Sequence, residues 1–300
     1  MNKVTEDSYH ERILQALLHI QKHLDEELTL EVLAGVACFS PFHFHRIFAS
    51  LVGETVMEHI RCLRLERAAH RLRGTNMPVV YAAFEAGYET HESFTRAFKA
   101  MFGLTPSAFR RQGRYTLAEY PSGVHYAADG ENISYHPLNK GGMEMEVRIE
   151  ERKQMKVAFV RHIGPYPECH AAWQKLMAWA GKKGLMGPKS QILGICYDDP
   201  EITPEDKIRY DACLTVSEDV KGEGEVGIQE VVGGEYAIIT HLGPYSELNK
   251  TYSSLYGQWL PQSGYECREA PCYEMYLNNP ENTPEKDLLT EICVPVRKQS

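Results

Sequence analysis

The sequence has no Cys-x-x-Cys pair, no His-Glu-x-x-His, no phosphate-cradling glycine loop and no Gly-x-Ser-x-Gly turn, which removes the common zinc, nucleotide and acyl-transfer chemistries. No stretch approaches the ~18 uninterrupted apolar residues of a membrane-spanning helix. Met1 to Tyr9 lacks the basic-then-apolar order of a secretory signal, so a cytoplasmic protein with no membrane partner is expected. Cysteines are present, but Cys38, Cys62, Cys169, Cys196, Cys213, Cys267, Cys272 and Cys293 are scattered and mostly beside apolar residues. Reduced, buried thiols are the expectation, with no metal and no cofactor. What remains is a folding composition: 300 residues, 43% hydrophobic and 24% charged, enough for about two domains.

The two halves differ. Nine of the ten phenylalanines precede residue 110, whereas all three tryptophans and ten of the seventeen tyrosines follow residue 144. Residues 1–114 carry 14 Lys and Arg against 13 Asp and Glu; residues 115–300 carry 18 against 28. Within the first half, residues 40–114 sum to +5, a candidate polyanion surface on a chain whose net charge is −9. The Gly-, Ser-, Asn- and Pro-rich stretch 113–143 reads as a linker between domains at 8–112 and 144–298.

Residues 8–112 read as an all-α domain in which one unit is written twice. A shift of fifty residues places Ser40 on Thr90, Phe44 on Phe94, Arg46 on Arg96, Phe48 on Phe98, Gly53 on Gly103 and Thr55 on Thr105. Each copy is a short helix, a tight turn and a helix opened by a hydroxyl cap, which is the order of a helix-turn-helix. Phe44 and Phe48, like Phe94 and Phe98, lie four apart and should anchor the later helix to its core. Phe42, His45 and Arg46 in one copy, and His91, Glu92, Thr95 and Arg96 in the other, would then face outward, with His43 also exposed. An arginine on such a face is commonly just solvated. Its recurrence at the same place in both copies, inside the basic segment, favours contact with the bases of double-stranded DNA. Lys99, Arg110, Arg111 and Arg114 suit phosphates or solvent.

Between the copies, Val56 to Leu72 is amphipathic, with Arg61, Arg64, Arg67, Arg71 and Arg73 largely outward. Its length separates the two reading helices by about 25–30 Å, against about 34 Å between adjacent major grooves. A monomer on DNA is therefore expected. The regulator reading requires Arg46 and Arg96 to face one side of a duplex, with neither packed against protein.

Residues 8–112 resemble the DNA-binding domain of the AraC/XylS regulators, through Arg61, Leu65, Ala82, Gly87-Tyr88, Phe94, Arg96, Phe98, Lys99, Phe102, Gly103, Thr105 and Pro106. The resemblance implies base contacts from Phe42, His45 and Arg46 and from His91, Glu92 and Arg96, and a contact with RNA polymerase. Phe42 and Glu92 depart from the commoner residues there, so the operator does not carry over.

From Met145 a second duplication begins. Ala158, His162, Gly164, Pro165 and Tyr166 recur as Ala237, His241, Gly243, Pro244 and Tyr245; further on, Asp211 aligns with Glu291, Cys213 with Cys293 and Gly194 with Glu274. Each repeat reads as strand, helix, strand, strand, so an α+β domain of two related units is expected, with a groove where their helices face. Tyr166, Trp173, Tyr245, Tyr256 and Tyr276, with Glu274 and Glu291, are candidates for its lining, within a wider group including Tyr197, Tyr210, Tyr252, Trp259 and Tyr273. For any one of these rings a place in the core serves as well, and strand alternation could instead turn Glu291 to solvent. A carboxylate among tyrosines suits an apolar cation.

This half resembles the GyrI-like effector-binding domain, through its Gly-Pro-Tyr turns and the strand from Glu291 to Val296. The likeness implies a small-molecule effector such as a lipophilic cation, held by Glu274 or Glu291. The two halves together resemble the right-origin-binding type of regulator. Two rival activities attach to the second half: hydrolysis of a small molecule with a glutamate as general base, and binding of a protein such as gyrase.

Overall fold

A computed structural model describes residues 3–112, 120, 122–131, 133–138, 145–188, 190–198 and 203–299, except for the side chains of 3–6 and 42. The chain divides into two compact units: Tyr9–Cys38 with Phe48–Asn139, and Met1–Ser8 with Phe39–Ile47 and Lys140–Ser300. The segment Phe39–Ile47, which the sequence assigns to the helical domain, thus packs with the second half.

Among the described residues, seven helices occupy the first part of the chain: α1 (Lys3–Lys22), α2 (Leu30–Val36), α3 (Pro41–Val52), α4 (Val56–Gly74), α5 (Val79–Glu85), α6 (His91–Phe102) and α7 (Pro106–Gln112). Several of their starts follow from hydroxyl caps. Thr29 accepts from Val32 N, Thr90 accepts from Ser93 N, and Thr55 forms a reciprocal capping box with Glu58. Gly103 ends α6 at φ 72°, a left-handed position that glycine takes without steric cost. Leu65, Ala69 and Leu72 of α4 pack with Ala82, Ala83, Phe94, Phe98 and Phe109 in one apolar core. The four phenylalanines at positions 44, 48, 94 and 98 are all fully buried, as their four-residue spacing requires.

Two expectations fail here. Arg67 is buried rather than outward: one terminal nitrogen donates to the Glu85 carbonyl at 2.9 Å, and another meets Asp25 at 2.8 Å. Paired in this way, a guanidinium can sit inside. The stretch read as a linker also lies against the helices over its described residues. The buried Glu66 carboxylate accepts from Tyr126 N at 2.7 Å and lies 2.8 Å from His125 Nδ1, while Gln21 donates to the His125 carbonyl. A carboxylate placed inside α4 needs those donors, and the stretch supplies them.

Among the described residues, the second half is a nine-stranded antiparallel sheet with two helical stretches, one after β2 and a composite one after β6. Strands β1 (Val147–Arg152), β2 (Met155–Ile163), β3 (Ile192–Cys196), β4 (Arg209–Thr215) and β5 (Gly227–Val231) precede β6 (Gly234–Leu242), β7 (Tyr265–Cys267), β8 (Cys272–Tyr276) and β9 (Leu289–Lys298). Helix α8 (His170–Lys182) follows β2. After β6 comes α9 (Leu248–Ser254), which runs on through a π-helical turn at Leu255–Trp259.

The spatial order is β1-β6-β9-β8-β3-β4-β2-β5, with β7 on β9. Its centre is the β3–β8 pair, on either side of which the two repeats run outward as mirror-ordered sets. The strand before each repeat crosses to the other repeat: β1 pairs with β6 and β5 with β2. Gly194 and Glu274, the residues at which the repeats differ, are direct partners across that centre. A Cβ on Gly194 would meet the Tyr210 hydroxyl at 2.3 Å, so the missing side chain is the space that this ring occupies.

Candidate nucleic-acid interface and ligand pocket

In α6 the helical period does what the sequence asks. Phe94 and Phe98 point inward, which leaves His91, Glu92, Arg96 and Lys99 exposed and Thr95 half-buried along a shallow concavity that they line together. Arg111 is exposed, whereas Arg110 donates to the Leu72 and Met77 carbonyls and so ties down a helix end. Arg114 and the side chain of Phe42 lie outside the described residues.

The matching face of α3 is arranged differently. His43, expected to be exposed, is 0% exposed; its Nδ1 lies 2.7 Å from the Tyr256 hydroxyl and its Nε2 3.1 Å from the Ala270 carbonyl. The carbonyl can only accept, so Nε2–H donates to it and Nδ1 of the neutral ring accepts from Tyr256. Burial, reinforced by the neighbouring Arg46 and His45, lowers the pKa of this imidazole to about 3. His45 is also buried, at 6% exposed. Arg46, half-buried, sets its guanidinium carbon 3.9 Å from the Tyr252 ring centre and 6.0 Å from that of Tyr256. The condition that Arg46 be clear of protein is therefore not met in this conformation, because this turn of α3 packs on aromatic rings of the sheet unit.

Those rings belong to an aromatic cluster built by the repeat. Gly164 and Gly243 take φ 142° and 135°, and each following proline carbonyl lies close to Nε2 of the histidine that precedes the glycine, His162 at 2.9 Å and His241 at 3.2 Å. The two turns bring Tyr166 and Tyr245 to the starts of the two helical segments. Tyr166 and Trp173 pack edge-on against Tyr210, and Trp173 and Tyr245 against Tyr276. Tyr252 and Tyr256 lie parallel, 6.4 Å apart.

Glu274 sits at the focus, 7% exposed. Tyr252 donates to Oε1 at 3.1 Å, Tyr276 to Oε2 at 2.8 Å, and the Cys196 thiol approaches Oε1 at 3.5 Å. Among the described residues, all three hydrogen-bond partners of this carboxylate are neutral. Burial raises the pKa values of Tyr252, Tyr276 and Cys196, and the negative Glu274 adds to each shift, so the three keep the protons they donate.

Of the sequence-selected residues, the structure brings together Tyr166, Trp173, Tyr245, Glu274 and Tyr276, with Tyr256 joined through Tyr252. Glu291 is not among them. It pairs directly with Met275, the neighbour of Glu274, so it projects from the opposite face of the sheet. There it is bonded to Arg148 and lies 3.1 Å from Arg152 Nη2, which is how an acidic residue is accommodated in an apolar strand. Tyr252 and Tyr210 are central to the site, although only the aromatic richness of the region pointed to them. His43 and Arg46 gave no sign in the sequence of lying against it.

The structure thus defines a helix-turn-helix protein that also carries an α+β domain with a buried carboxylate set among aromatic rings. Residues 145–297 match the GyrI-like small molecule binding domain, and residues 33–112 match a helix-turn-helix domain. The chain belongs to the GyrI-like family and carries an AraC-type helix-turn-helix domain in its amino-terminal part. It is similar to the transcriptional regulator Rob of Salmonella typhimurium, 24% identical across 95% of this chain and 98% of that one. The DNA gyrase inhibitor of Erwinia billingiae is 31% identical across 51% of this chain and 99% of its own. The HTH-type regulator YbfP of Bacillus subtilis is 40% identical across 53% of this chain and 56% of that protein.

Proposed function

We propose that this protein is an effector-responsive DNA-binding regulator whose second half binds a lipophilic cation. The observation that carries the effector reading is Glu274: a buried carboxylate, held by neutral donors, inside a ring of tyrosine and tryptophan side chains. Burying an ion without a counter-charge is costly, so such a site gains most from a cation with an apolar body, which aromatic faces also attract. Tyr166, Trp173, Tyr245, Tyr256 and Tyr276 would form the walls. Replacing Glu274 with Gln keeps the shape and removes the charge. Isothermal titration with tetraphenylphosphonium should then show a loss of about 2 kcal/mol, roughly 30-fold in Kd. Equal binding by both proteins would remove the assignment.

The DNA side of the reading rests on α6. His91, Glu92, Thr95 and Arg96 would meet base edges, with Lys99 on phosphate. Phe42, His45 and Arg46 would join them only when the first turns of α3 are free. Changing Arg96 to Ala should weaken binding to a selected operator by about 2 kcal/mol in a band-shift assay. The same loss on random DNA would show that Arg96 holds phosphate and reads no base. The hydrolase alternative asks Glu274 to activate water, yet both of its oxygens already accept hydrogen bonds from the protein.

A further inference from the structure

The pocket that would take a cation already has one against its wall. Tyr252 links the two: its ring lies under the Arg46 guanidinium at 3.9 Å, and its hydroxyl donates to Glu274 Oε1 at 3.1 Å. His43, three residues earlier on the same face of α3, fixes that arrangement through Tyr256 and the Ala270 carbonyl. The positive charge of Arg46 also reaches deeper, opposing the upward pull of burial on Tyr166, Cys196 and Cys272. The two copies of the helix-turn-helix differ at this face. His43 corresponds to Ser93, and α6 has an exposed Arg96 where α3 has its docked Arg46. One copy is built to engage the pocket and the other is not.

We propose that Arg46 is the pocket's internal cation: docked, it takes the aromatic face that an effector would use and is withheld from DNA, and effector binding expels it and releases the first reading helix. This rests on the cation-pocket reading of Glu274 given above. Mutual exclusion follows from space and charge, because two cations on one tyrosine face beside a single carboxylate repel each other in a medium of low dielectric. Reciprocity is then obligatory. Whatever factor the effector adds to operator affinity, the operator adds to effector affinity.

The test uses the full chain and tetraphenylphosphonium, titrated calorimetrically into wild type, Arg46→Gln and Glu274→Gln. If about nine molecules in ten are docked, removing the internal competitor tightens apparent binding about tenfold in Arg46→Gln, while Glu274→Gln weakens it roughly 30-fold. Equal affinity in wild type and Arg46→Gln, with loss in Glu274→Gln, overturns self-occupancy and leaves the pocket standing. No binding by any of the three overturns both. Hydrogen exchange on wild type covers the case of a poorly folded variant. Saturating tetraphenylphosphonium should speed amide exchange across Pro41–Ile47 several-fold, and unchanged or slower exchange there overturns the proposal.

Discussion

Replacing Asp211 with alanine is expected to lower the unfolding free energy of the sheet half by about 3 kcal/mol. Asp211 is 0% exposed and carries a bidentate pair with Arg161, both contacts at 2.8 Å. It also accepts from Tyr197 at 3.0 Å and from Gln229 at 2.8 Å. Removing it takes an acceptor from all three donors at once, although Tyr197 keeps Gln229 Oε1 at 3.1 Å. The value sits at the low end for a broken buried pair, since Arg161 is 40% exposed and can turn its charge to water. Trp173, Trp179 and Trp259 all lie in this half, so denaturant titration followed by tryptophan fluorescence reads the right transition. An unfolding free energy within about 0.5 kcal/mol of wild type, the bound for a surface change, would mean that the network is ornamental.

Acid should undo the packing of His43, and the sign follows from its lowered pKa. The folded ring stays neutral down to a pKa of about 3, while a released or unfolded one takes a proton near 6.5. The contribution is therefore complete above pH 6.5 and shrinks as pH falls from there toward 3, because the open state binds the extra proton. At pH 4.5 the loss amounts to about 3 kcal/mol. The groups that face the ring act together: Arg46 and His45 from its own helix oppose its charging, and the Ala270 and Arg268 backbones favour it weakly. His43→Gln preserves the shape without a titrating group. The stability difference between wild type and this variant should shrink by that amount between pH 7.5 and 4.5. A difference that stays constant with pH would show that His43 does not titrate in this window. A loss that levels off sooner measures the docking free energy of α3 itself.

Much of the local architecture could be read from spacing. The paired phenylalanines of α3 and α6, the hydroxyl caps and the two Gly-Pro-Tyr turns each rest on contacts within a few residues, which a repeat in the sequence displays directly. Glu274 was legible for the same reason, as a charged residue where the other repeat has glycine. Glu291 was not. Seven consecutive residues of β9, Thr290 to Val296, are buried, so both faces are covered and alternation no longer says which way a side chain points. Arg67 was misread because a helical wheel shows a face and not the acceptors waiting beyond it; here these are a carbonyl and a carboxylate from other segments.

From the sequence by itself come the two kinds of domain, their internal duplications and the arginines at equivalent places, because each is a pattern of neighbours along the chain. Tertiary structure alone decided that Arg46 meets Tyr252 while Arg96 stays exposed, and that one of two suspected glutamates lies among the rings. The physical reason is common to both. Equal residues acquire unequal roles from partners some 200 positions away in one case and from the side of a pleated strand in the other. Periodicity carries neither fact.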